Sequence, residues 1–486
     1  MRFICYLWIV CYAACGFAQQ VPWGRADIPL SVHDRVYAAD QTSNTVSVID
    51  PSSNKLLGVI RLGDPVPGAL SPLYRGELLV HGLGYSPDSK TLAVVSVGSN
   101  SVTLIDTATN AIKGKIYVGR SPHESFFTPD GRELWVTVRG ENYVSVIDPV
   151  QTKEIRRIEL ANGPGMTMFG PDGKYAFVCS SFTPEVAVID VASHQMIKRM
   201  PQVSPFCPNI SVSPENDEVW ITLKDVGKVE VFSAQPPFDQ KAVLETGPIT
   251  NHVNFVNNPN GKFAYVTIGG ANVVKVFRRS STPELVATIP VGSLPHGIWP
   301  SGDGSRVYVA LENGEQAVAI DTLTNKIIAN IPIGQTTQAL VYVPGAVPNG
   351  AGMDNLTPLG VAGNTARLHL EAGGSALPNA QASVAVNSLG LLDLVQIAAE
   401  GLAPKSQYQV YLAESNHVPF GKLEALAVLR TNPDGAGIVQ AIGPLKTLVH
   451  QDPGGSLAQV ERCLVVTDVN DASQVVLRQS AEPSVR

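Results

Sequence analysis

The chain has 486 residues, 44% of them apolar, and a formal net charge of −7. That length exceeds one ordinary domain and predicts two. An acidic balance with no long Lys/Arg run argues against a nucleic-acid surface. The 43 glycines and 36 prolines are spread along the chain, which fits many short strands joined by turns rather than a disordered tail.

In chain order, residues 1–18 (MRFICYLWIVCYAACGFA) carry one Arg, then an apolar core, then small residues, the pattern of an export signal peptide. Gly16 and Ala18 satisfy a small-x-small rule for cleavage after Ala18. The core, about fifteen residues, is too short to span a bilayer comfortably. Cys15, after Ala13 and Ala14, offers a rival reading as a lipid-anchored cysteine. Either way the expected location is periplasmic or secreted, with no membrane span. Residues 19–34 read as a lead-in.

From 35 to 344 a repeat governs the chain. Each unit has a short apolar run, a turn, two alternating runs and a fourth strand, in about 42 residues, which reads as one blade of a β-propeller. The third strands end at Asp50, Asp106, Asp148, Asp190, Ser233, Arg278 and Asp321, which makes seven units. Turns such as SPDS at Ser86, TPDG at Thr128 and GPDG at Gly170 precede the second strands, where type I chemistry suits Pro, Asp and Gly. The recurrent Asp residues are expected to cap turns rather than form a carboxylate cluster. Trp135, Trp220, Tyr265 and Tyr308 hold matching places and are expected to pack between blades.

The first unit lacks its innermost strand, and the segment TTQALVYVP near the end of the repeat supplies one, so the ring is expected to close Velcro-fashion by pairing Ala339–Val343 with Arg35–Asp50. Between the first two units an insertion, 63–80, lengthens the Asp-to-Asp spacing to 56 residues. Residues 345–365 read as a linker. About eight alternating runs over 366–479 lack the blade period and predict a small β-sandwich. Three of six cysteines fall in the export segment. Cys179 and Cys207 are expected on the same face, either bonded to each other or as two buried thiols.

The units, with WVTV at Trp135 and AYVT at Ala264 in the second strand and SVID or its variants in the third, resemble the YVTN family of seven-bladed β-propellers over about Arg35–Val343. That resemblance implies fold more than function, because the family and its relatives include surface proteins, binding scaffolds, lactonase-like enzymes and metalloenzymes. The tail is similar to the immunoglobulin-like sandwich domains of exported bacterial proteins. The expected fold is therefore all-β: a propeller, then a sandwich.

Five residues before each inter-strand turn, where the innermost strand starts at the channel mouth, stand His81, His123 and His296, with His252 one place off and Gln338 on the intervening unit. Neutral imidazoles gathered on one rim are candidate copper or zinc ligands. The arrangement is similar to the histidine ring of the nitrous oxide reductase propeller, but three blades offer no histidine, which argues against a complete ring. Glu124 follows His123, and Arg139, Lys224 and Glu312 stand where the second strand returns to that face, as candidate ligand-binding groups. The competing account is strand starts bonded to channel water and a solvated loop edge. No nucleophile motif, phosphate loop or HExxH is present. The leading expectation is an exported scaffold that binds a small molecule or protein at this face. The alternatives are a copper-dependent oxidoreductase and a lactonase-like hydrolase or isomerase using Glu124, His123 and Arg139.

Overall fold

The computed structural model describes residues 29–64, 71, 73–360, 365–389, 392–443, 449–451, 457–459 and 462–480. The export segment, Cys15, most of the lead-in and part of the 63–80 insertion lie outside them. The described residues form strands and turns, with no helix among the named elements, and among the described residues no helix is long and apolar enough to cross a membrane.

Seven four-stranded antiparallel sheets follow one another as blades. The inner three strands of a blade are buried on both faces, as in Pro122–Phe127, Leu134–Val138 and Tyr143–Asp148, while the outer strand Lys153–Glu159 is largely exposed. The outer strand can therefore carry charge at successive positions, as Lys153, Glu154, Arg156, Arg157 and Glu159 do, while the second strand Leu134–Val138 carries none. Between blades the matching aromatics pack as expected: Trp135 sits edge-on to Phe169 at 5.0 Å, and Trp220 to Phe255 at 5.9 Å. Tyr265 and Tyr308 also donate across blades, to Asn325 Oδ1 at 2.7 Å and Asn54 Oδ1 at 2.9 Å. The Asp series caps turns. Asp148 accepts from the Val150 and Gln151 amides, and Asp190 from Ser193.

Ring closure follows the sequence expectation, with Ala339 opposite Ala39 and Val343 opposite Arg35. Its clasp is Asp40, fully buried, whose carboxylate accepts from Thr337 on the closing strand at 2.7 Å and from Thr45 and Ser47 on its own blade. Cys179 and Cys207 form a disulfide, with their Cα atoms 6.1 Å apart.

The second unit supplies the expected additional β-strands as one eight-stranded sheet, in the order 424–430, 407–413, 463–468, 471–479, 365–372, 381–389, 392–400, 437–443. It curls until its edge strands lie side by side, nearly closing a barrel, around Leu370, Val384, Ile397, Val410, Leu464 and Leu477. The two faces of the expected sandwich are thus halves of one curled sheet.

Candidate functional site

In blades 2, 3, 6 and 7 the inner strand enters from the channel mouth through a bulge, where two residues oppose one of the second strand. The register shifts between Val80 and Leu83, Pro122 and Ser125, Thr250 and Val253, and Pro295 and Ile298. The residue ahead of the bulge is left-handed: Leu79 (φ 57°), Ser121 (48°), Ile249 (55°), Leu294 (55°) and Thr336 (57°). Bulges of this kind re-aim side chains at a rim, and here they set the histidines. His81, His123, His296 and Gln338 occupy the first bulge position, as their spacing predicts. His252 does not join them, because its strand bulges in the same way as the others. Asn251 holds the equivalent place, and His252 matches Glu124.

Three first-position side chains bond the next blade. His123 Nδ1 bonds the Gly165 carbonyl at 2.8 Å, His296 Nδ1 the Gln338 carbonyl at 2.6 Å, and Asn251 Nδ2 the Pro295 carbonyl at 2.8 Å. A carbonyl only accepts, so both imidazoles carry their proton on Nδ1 and keep Nε2 as a lone-pair nitrogen. Glu124 and His252, one residue on, line the narrow central cavity together with Asn209 and Ala339.

The four histidines are 5–7% exposed and form two pairs. The rings of His81 and His123 lie 4.3 Å apart, and those of His252 and His296 lie 4.6 Å apart. Glu124 Oε1 stands 3.8 Å from His81 Nδ1, and neither atom has a hydrogen-bond partner. Space for Glu124 comes from Gly82, where a Cβ would fall 2.2 Å from the His123 carbonyl oxygen and 2.7 Å from Glu124 Oε2. Burial, reinforced by the nearby Arg139 and Lys224 cations, keeps the imidazoles neutral: His81, His123 and His252 titrate well below the ordinary range, and His296 falls to about 3. Burial also pushes Glu124 up to about 8, opposed by the Leu83 amide and Arg139.

Arg139, Lys224 and Glu312 each follow the last residue of a second strand, as the sequence places them. Arg139 and Lys224 are partly exposed, and burial lowers both. Lys224 lies over the Phe206 ring at 5.8 Å, on the loop held by the Cys179–Cys207 bond. Gln338 is buried and its amide donates to the Thr336 carbonyl.

The curled sheet sits on this same face, over blades 6, 7 and 1, which the sequence did not reveal. Gln396 donates to Glu312 Oε1 at 2.7 Å and Asn313 Oδ1 at 2.8 Å. Asn387 reaches Thr336, and Ile249 and Leu294 pack with Ala398 and Ala436. One signal was available: Gln396 interrupts the apolar run LDLVQIAAE, and a buried amide needs a polar partner.

The family described as "Lactonase, 7-bladed beta-propeller" matches residues 114–327. No curated protein sequence matches the chain. Among solved structures, Kuenenia stuttgartiensis hydrazine synthase aligns with TM-score 0.52 at 19% identity, covering 63% of this chain and 96% of that one. A functionally unknown protein from Desulfotomaculum acetoxidans DSM 771 gives 0.53 at 13%, covering 63% and 98%. The Pseudomonas aeruginosa periplasmic gluconolactonase PpgL gives 0.51 at 17%, covering 64% and 99%. At these identities the shared property is the fold: the chain is a seven-bladed propeller similar to the lactonase-type propellers, with a second β unit appended.

Proposed function

We propose that the protein hydrolyses lactones, cyclic esters whose opened product is a hydroxy acid, at the histidine rim. The observation that carries this reading is the fixed tautomer of His296. Its Nδ1–H is committed to the Gln338 carbonyl, so neutral Nε2 is a base, and Lys224 acts on it across the rim. Support comes from the match over residues 114–327 to the lactonase family and from the likeness to a solved gluconolactonase propeller.

In this reading a water attacks the lactone carbonyl carbon and gives its proton to the imidazole. The oxyanion that forms faces Arg139 and Lys224, the cations of the rim. The ring C–O bond then breaks, and the imidazolium returns the proton to the leaving alkoxide. The product carboxylate is held by the same cations.

The test is a panel of γ- and δ-lactones of sugar acids followed by NMR of the products. Turnover should fall about 10²–10⁴-fold in His296→Gln, the usual contribution of a general base, and Lys224→Met should raise KM. Equal rates in wild type and His296→Gln would remove this reading, and an isomerised ring in place of a hydroxy acid would replace hydrolysis with isomerisation.

A further inference from the structure

We propose that His81, His123 and Glu124 form a binding site for one divalent transition-metal ion. Among the described residues these are the three whose donor atoms all lie within 4.8 Å of one another, and all three are buried. Their inner-strand bulges, on adjacent blades, bring them together, and Gly82 admits Glu124 because no side chain occupies its place.

The alternative is that the histidines only pin blade to blade. That role accounts for His123 Nδ1, but an asparagine performs it in blade 6, so the role does not require imidazole. It leaves two atoms unexplained. His81 Nδ1 and Glu124 Oε1 are buried, without partners, and face each other at 3.8 Å. That distance is too long for a hydrogen bond. An ion with bonds of about 2.0–2.2 Å to each atom spans it without rearrangement. His123 already makes the supporting contact of a metal-bound histidine, an Nδ1–H given to a backbone carbonyl that leaves Nε2 for the ion.

Two imidazoles and one carboxylate suit zinc, and open positions would remain for water. Arg139 lies close enough to act on all three groups and opposes a cation there, so an ion must displace the Glu124 proton and take the carboxylate as its charge-balancing ligand. In the hydrolase reading such an ion would supply a Lewis acid for the ester carbonyl. Binding itself does not depend on that reading and is measured without substrate.

The full-length protein, stripped with a chelator, is titrated with Co²⁺ and followed by visible absorption, then displaced with Zn²⁺ and checked by elemental analysis. The expected result is one ion per chain, with affinity lowered at least about tenfold by Glu124→Gln and by His81→Ala. His194→Ala, which alters a histidine paired with Glu133 away from the rim, should leave affinity unchanged. Melting curves of the stripped variants establish that they fold, and the near-isosteric Glu124→Gln decides the matter if His81→Ala does not. No saturable binding by the wild type, or equal affinity in Glu124→Gln, overturns the site. Binding without lactone turnover would remove only the hydrolase reading, and turnover without binding only the metal.

Discussion

At the scale of single residues, burial sets the chemistry. His296 titrates near 3 because the desolvated ring resists a charge and Lys224 adds to the cost. The proton therefore binds far below the ordinary histidine range, and the base stays available as pH falls. Lactone turnover by the His296 base should hold nearly level from pH 8 to pH 5, whereas a base with an ordinary value of about 6.5 would lose most of its rate over that span. A pH–rate profile with a limb near 6.5 would show that another base is at work. Asp40 runs the other way: burial raises it to about 7, against the bonds from Thr337, Ser47 and Thr45. A carboxyl whose folded value lies above its unfolded value contributes stability that is complete below the unfolded value and lost as pH rises through the folded one. Denaturant unfolding should thus show a loss on the order of 2–4 kcal/mol from pH 4 to pH 8 attributable to this group, and Asp40→Asn should flatten that slope. The places of His81, His123 and His296 were legible from spacing alone. The meeting of His81 with Glu124 was not, because it joins two blades whose relative setting no local pattern encodes.

At the scale of elements, the repeat was legible because each blade solves the same burial problem with the same alternation, and the missing first strand pointed to its replacement. Leu340, 2% exposed on the closing strand, packs in the main propeller core. Leu340→Ala should lower stability by about 2–5 kcal/mol, the cost of an unfilled core position, and should expose blade 1 in hydrogen exchange before the other blades. Uniform exchange across all seven blades would show that the seam is not the weak point. The disulfide bridges 28 residues between blades 4 and 5, and Cys179→Ser with Cys207→Ser should cost about 2–4 kcal/mol in thermal or denaturant unfolding. What the pattern hid was the bulge. His252 looked displaced in a slightly altered unit, whereas its blade bulges like its neighbours and Asn251 holds the histidine place. A side-chain period of two cannot reveal a local two-against-one pairing, since the extra residue changes which side chain faces the channel without changing composition.

At the scale of the whole molecule, the curled sheet and the propeller share the histidine face, so the appended unit belongs to the architecture of the rim. Its strand content was legible from alternation, but its position was not, since the contact rests on a few polar residues far apart in sequence. Gln396 is the pivotal one: fully buried, it donates to Glu312 and Asn313 and accepts from Gln440. Glu312 in turn favours the charged form of Lys224 against the burial that opposes it. Gln396→Leu keeps much of the side-chain volume but removes the donor, leaving Glu312 Oε1 without its bond in a buried place. An unpaired buried acceptor costs about 1–3 kcal/mol, and more when charged. The sheet should then loosen from the face while its own core, which does not use Gln396, stays intact. Limited proteolysis should cut the 345–365 segment faster in Gln396→Leu, the melting of the isolated sheet signal should hardly move, and KM for the lactone should rise as Glu312, no longer held in place, supports the charged form of Lys224 less. Unchanged proteolysis together with unchanged KM would mean that the apolar contact of Ile249 and Leu294 with Ala398 and Ala436 holds the two units together without the polar link.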